Sequence, residues 1–173
     1  MKTIQAIFAL ALLFISAYTF KAKAQNAQAN VTITKVIEVS ADKVWSVLRK
    51  MDDIQKYSSF IARLEWKGNR GVGGERVCYS PDGKGYYKEG IVHFDDANRT
   101  YSYAVKEGVP AKNMVNSFKV VDLGYNKSMI VWTSNFEQFL KNPQMTQEQF
   151  MGFLNKAITE MITNVTKAAK KTT

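Results

Sequence analysis

YYKEGIVHFDDANRTYSYAVK, residues 86–106, is the stretch that decides the fold of this chain. Two runs rich in aromatic and β-branched residues, Tyr86 to Phe94 and Thr100 to Lys106, flank the turn-forming Asp95 to Asn98. They read as an antiparallel hairpin. Side chains alternate between the two faces of a strand, so Tyr87, Glu89, Ile91 and His93 share one face. Tyr101, Tyr103 and Val105 form the matching face of the next strand. A carboxylate among such rings is an odd choice for a plain core, because a buried charge is costly unless paired.

The same signal extends outward on both sides. Phe60 to Lys67, Glu75 to Ser80, Met114 to Asp122 and Met129 to Phe136 are further strand candidates, separated by Gly68 to Gly74, Pro81-Asp82-Gly83, Gly108-Val109-Pro110 and Gly124 to Lys127. Evenly spaced short strands joined by tight turns predict an antiparallel meander, not parallel βαβ units. Upstream, Val31 to Val39 reads as a first strand. Ser40 caps a short helix, Ala41 to Lys50, and Asp52 starts a second that runs to about Tyr57. At the far end, Thr146 and Gln149 make a capping box for a long helix reaching about Lys171, and Pro143 blocks an earlier start. Phe150, Leu154, Ile158, Met161 and Val165 give that helix one apolar stripe. Gly152 within it costs ~1 kcal/mol against alanine, which implies a strand or ligand packed close to it. The expected fold is α+β: a curved antiparallel sheet of about seven strands around a long C-terminal helix, with two short helices after strand one.

Residues 1–24 read as a secretory signal peptide. Lys2 precedes an uncharged, mostly apolar run, Ile4 to Phe20, and Ala22-Lys23-Ala24 offers small-x-small cleavage before Gln25, with Ala27-Gln28-Ala29 as a second option. The competing reading is a retained membrane anchor, since the run is close to the ~17-residue lower limit for a span. Residues 25–30 form a polar tether, and 31–171 the domain. Removing the leader leaves 149 of 173 residues, enough for one core, and takes the net charge from +9 to +6 by loss of Lys2, Lys21 and Lys23. The expected location is periplasmic or secreted. With no basic stripe, nucleic acid is excluded as a partner. Lys167, Lys170 and Lys171 suit a helix C-terminus and allow a weak contact with an anionic membrane surface. The lone Cys78 forbids an intrachain disulfide and reads as a small buried hydrophobe.

Strand alternation gathers a candidate lining. Arg76 and Cys78 face Tyr87, Glu89 and Ile91 on the neighbouring strand, while Tyr101, Tyr103, Val105, Asn116, Phe118 and Trp132 continue the wall. Tyr57 and Phe60 close it on one side, and Phe150, Leu154, Ile158 and Met161 on the helix side. An apolar lining with a few convergent polar groups is the make-up of a small-molecule site. Glu89 facing Arg76 across the pocket either holds a polar group of the ligand, directly or through water, or forms a structural ion pair near the rim. Several chemistries are excluded. Glu89 and His93 are four residues apart along one strand, ~13 Å at about 3.3 Å per residue, too far for a hydrogen-bonded dyad. No Gly-x-Ser-x-Gly elbow is present. One histidine and one cysteine rule out the usual zinc sets, and Gly71-Val72-Gly73-Gly74 leads into a strand, not a helix. No metal or cofactor is expected.

Several strings carry a family resemblance. Val44-Trp45-Ser46-Val47-Leu48, Tyr57-Ser58-Ser59-Phe60-Ile61, Gly73-Gly74-Glu75-Arg76-Val77 and Tyr87-Lys88-Glu89-Gly90-Ile91, with Phe94-Asp95-Asp96, Asn113 and Trp132, resemble the START-like (SRPBCC) superfamily of polyketide cyclase/dehydrase and lipid-transport proteins. The resemblance spans roughly Thr32 to Ala169 and implies the helix-grip fold, with an inward glutamate at Glu89. The hormone-receptor branch departs from this chain, which has Ser80-Pro81-Asp82-Gly83 at the gate, Ser58 at the ligand-pairing lysine, and no latch in Gly108 to Lys112. The resemblance implies a domain that binds or transports a hydrophobic small molecule such as a lipid, isoprenoid or polyketide, entering past lips at Pro81–Gly85 and Gly108–Lys112. Two alternatives stay open: a cyclase or dehydratase using Glu89 as acid or base, and a cell-envelope interaction module with a filled core. Binding without catalysis is the expectation.

Overall fold

The computed structural model describes residues 31–172, and the leader and tether read at 1–30 lie outside the described residues. Strand β1 (Val31–Ile37) leads into helix α1 (Ala41–Leu48), and a 3-10 turn (Ile54–Lys56) precedes β2 (Arg63–Lys67), β3 (Glu75–Tyr79), β4 (Tyr86–Asp95) and β5 (Thr100–Glu107). Then come β6 (Ala111–Lys112), β7 (Val115–Gly124), β8 (Lys127–Asn135), β9 (Gln138–Phe139) and the long α2 (Gln147–Lys171). Seven strands form one antiparallel sheet in the order β1-β8-β7-β5-β4-β3-β2. The expected α+β helix-grip layout is therefore present. Because β1 and β2 are the two sheet edges, α1 and the 3-10 turn carry the chain from one edge to the other. No helix among the described residues is long and apolar enough to cross a membrane.

Local chemistry sets the element ends. Ser40 accepts from the Lys43 backbone N–H, and the Thr146/Gln149 capping box is closed in both directions, at 3.2 and 2.8 Å. The second helix expected from Asp52 shrinks to a single 3-10 turn. Asp53 makes no capping bond there and instead accepts from Lys56 Nζ at 2.9 Å. So few residues do not sustain an α-helical nucleus. The paired segments β6 and β9 are two residues long, too short to leave a period in the sequence.

Two expectations are corrected. The β4–β5 register slips between Ile91 and His93, so Val92 is an extra residue and alternation resets beyond it. His93 then pairs with Ser102 and is exposed, while Phe94 pairs with Tyr101 and stacks on Trp45 at 5.8 Å between centroids. Gly152 has no close neighbour either, since a Cβ built on it meets nothing within 4 Å. Its cost is that of glycine in an exposed helix, uncompensated by packing. Gly152→Ala is expected to raise stability by about 0.5–1 kcal/mol, read as a higher urea midpoint at unchanged slope. A loss of stability would mean that the glycine serves a contact after all.

The core is polarised along α2. Ile162, Val165 and Ala169 in its C-terminal half are buried, and the helix packs most closely on α1 and β1. Its first turns lie over the opposite half of the sheet, and there the interior is left open.

Candidate ligand-binding site

Between those first turns and the sheet lies a cavity of about 80 Å³. Arg76, Tyr87, Glu89, Tyr103, Val105, Asn116, Phe118 and Trp132 border it from the strands, with Phe60 from the segment before β2. Phe150, Leu154, Ile158 and Met161 border it from α2. The helical stripe and the sheet face meet because each gathers its apolar side chains on one side, with periods of 3.6 and 2 that are both legible in the sequence. Also on the wall, and missed by the sequence reading, are Ile54, Ser58, Val109, Met114, Phe153 and Ala157. Met114 continues the two-residue period of Asn116 and Phe118. Phe153 and Ala157 lie three residues from Phe150 and Leu154 and widen the same stripe. Those signals were present in the pattern, whereas Val109 sits on an irregular lip that no period marks.

Four expected lining residues stand elsewhere. Tyr101 belongs to the end of the inner face that α1 fills, packing against Trp45 and Phe118 at 6.3 and 5.6 Å, and Ile91 is buried in the core away from the cavity wall. Cys78 is wholly buried between its cross-strand partners Leu64 and Tyr87. Tyr57 is half-buried beside the core, and its carbonyl accepts from Asn164 Nδ2 at 3.1 Å.

A second compartment of about 390 Å³ adjoins the first. The two share Phe60, Tyr87, Val109, Phe150 and Phe153, and the outer one reaches Pro81, Asp82, Gly85, Gly108 and Pro110. Residues of both expected lips therefore line the outer compartment. Phe60 and Phe153 meet edge to face at 5.2 Å where the two compartments adjoin. Both lips are braced. Ser80 Oγ accepts from the Gly85 backbone N–H at 2.9 Å, and Gly108 has φ +89° in a place where a Cβ would run into the Tyr86 carbonyl.

Polar groups gather at the inner end. Arg76 and Glu89 are cross-strand neighbours, not opposed across the pocket, and Arg76 Nε donates to Glu89 Oε2 at 2.5 Å. With exposures of 2% and 4%, the pair is interior and not at the rim. Arg76 also donates from Nη1 to the Met51 carbonyl at 2.8 Å and lies over the Tyr103 ring at 4.7 Å. Burial holds the Glu89 carboxyl above its ordinary range, opposed by the charge and hydrogen bond of Arg76. Neutralising Glu89 would strand a buried guanidinium, so the ion pair is the favoured state. Burial also raises the Tyr87 and Tyr103 phenols well above their usual value and the Cys78 thiol to about 12. Cys78 is consequently an inert thiol at neutral pH. Trp132 Nε1 donates to the Tyr103 hydroxyl at 3.2 Å, and the buried amide oxygen of Asn116 has no hydrogen-bond partner. Among the described residues no group of three or more His, Cys, Asp or Glu side chains could hold a metal.

A seven-stranded antiparallel sheet wrapped around one long C-terminal helix defines the class of helix-grip domains. The chain belongs to the polyketide cyclase/dehydrase and lipid transport family, whose model matches residues 28–172. No curated protein matches it by sequence. Among solved structures it is similar to XoxI from Bacillus cereus, with TM-score 0.70, 18% identity, and coverage of 82% of this chain and 95% of that one. It is also similar to norcoclaurine synthase from Thalictrum flavum in complex with dopamine and hydroxybenzaldehyde, at 0.65 and 18%, covering 83% and 87%. The Zhui aromatase/cyclase from Streptomyces sp. R1128 matches at 0.66 and 16%, covering 82% and 93%. At these identities the likeness is one of fold.

Proposed function

We propose that the protein binds and carries a hydrophobic small molecule, and that it does so outside the cytoplasm if residues 1–24 act as the leader they read as. The observation that carries this reading is an inner cavity of about 80 Å³ bordered by apolar side chains and a few polar groups, adjoining an outer hollow of about 390 Å³ across shared walls. Binding sites for small molecules are concave, mostly apolar and fixed by a few polar groups. The inner chamber takes a terminal group near the size of one ring, and the outer hollow takes the rest. Catalysis by a cyclase or dehydratase is the second reading, supported by the raised Glu89 carboxyl on the cavity wall. Its weakness is the lack of a second titrating group, since both tyrosines that border the cavity hold their protons.

Ala157 gives the test. It borders the cavity from α2, and a leucine there would push three more carbons into the free space. Ala157→Leu is expected to weaken uptake of an apolar fluorescent probe at least tenfold without lowering the melting temperature. Unchanged uptake by a folded variant would remove the cavity as the binding site.

A further inference from the structure

We propose, building on the binding reading above, that the end of the ligand entering first carries an uncharged hydroxyl, held between Asn116 and Tyr103. Among the described residues Arg76 and Glu89 are the only charged side chains on the cavity wall, and they neutralise each other at 2.5 Å. Arg76 is further engaged by the Met51 carbonyl and the Tyr103 ring. A carboxylate arriving there would lie beside Glu89 with no free cation to pair with, and an ammonium would lie beside Arg76. Either charge would be desolvated without compensation.

The neutral groups ask for something specific. Asn116 borders the cavity, is buried, and leaves its amide oxygen without a partner, so it lacks a donor. Its cross-strand neighbour Tyr103 accepts from Trp132 at 3.2 Å, which leaves the phenolic proton free to donate. An acceptor-seeking proton and a donor-seeking oxygen on adjacent inward positions match a group that both donates and accepts. A hydroxyl does this with one atom. A bare hydrocarbon satisfies neither, and an ester or ether satisfies only the tyrosine.

A matched series decides the matter: naphthalene, 2-naphthol and 2-naphthoate, measured by equilibrium dialysis against the protein at pH 7. The naphthol is expected to bind at least tenfold more tightly than either of the others. In Asn116→Leu and Tyr103→Phe its advantage over naphthalene should shrink while naphthalene binding persists. Naphthoate binding as well as naphthol, or naphthol doing no better than naphthalene, overturns the hydroxyl assignment and leaves the cavity reading intact. Failure of all three to bind overturns the cavity reading itself. The wild-type series suffices for these outcomes should either variant fail to fold.

Discussion

Arg76→Met is expected to destabilise the protein by about 3–5 kcal/mol, the usual cost of stranding one partner of a buried ion pair. Arg76 and Glu89 are both interior and are joined directly at 2.5 Å, so solvent does not screen what is lost. The Met51 carbonyl would lose its donor as well. Methionine retains the apolar stem out to the Nε position, so the damage is the lost charge and hydrogen bonds together with the small void left by the guanidinium. The pH dependence identifies the cause. Glu89 has a folded-state pKa above its ordinary value of 4.5, so its contribution is most favourable below that pH and is lost as the pH rises through the folded value. Removing Arg76 takes away both influences that pull the value down. The deficit against the parent should therefore be smallest near pH 4.5 and grow toward neutrality, in urea titrations at a series of pH values. The double change Arg76→Met with Glu89→Leu should regain much of the loss, since apolar replacement of a whole buried pair is often neutral. A single variant within about 1 kcal/mol of the parent at every pH would show that the pair is not the closed, buried unit described above.

What the sequence could disclose about this pair shows where pattern reading ends. Alternation alone put Arg76 and Glu89 on one inner face, because the β3–β4 ladder that holds both runs without a register shift. It set them across the pocket from each other, since alternation does not give register, and here the register makes them direct neighbours. His93 failed for a related reason. One extra residue at Val92 reverses every facing beyond it, and nothing in the composition of β4 marks a bulge. The α2 stripe was legible because twenty-five helical residues give many turns of evidence, and its N-cap chemistry fixed the start. Whether the space under that stripe is filled cannot be read from periodicity. Tyr101 and Tyr103 occupy equivalent inward positions on one strand, yet the first packs beneath α1 and the second borders the cavity. That difference arises from where α1 and α2 make contact, a tertiary fact with no local signature.

Trp132→Ala is expected to cost about 3–5 kcal/mol, as large-to-small changes of buried aromatics do. Trp132 is wholly buried, stands on the central part of β8, and donates to Tyr103, so the variant loses an indole and leaves a phenol without its donor. The cost should fall in the upper part of that range. A site next to an existing cavity of about 80 Å³ has fewer neighbours able to close in, and the residual void determines the penalty. Total stabilities of about 5–15 kcal/mol leave room for such a variant to remain folded at room temperature. Its behaviour with ligand is then more telling than its stability. The enlarged chamber should admit a two-ring apolar probe more fully than the parent does, and binding to the folded state alone stabilises by about 2.7 kcal/mol at a hundredfold excess over Kd. The melting temperature of Trp132→Ala should accordingly rise more with such a probe than that of the parent, while a single-ring probe favours the parent. A rigid compartment bordered by the sheet predicts this reversal of size preference. A soft core that collapses around the missing indole predicts no probe-induced shift in the variant, and that result would mean the hollow is a packing defect with no ligand to serve.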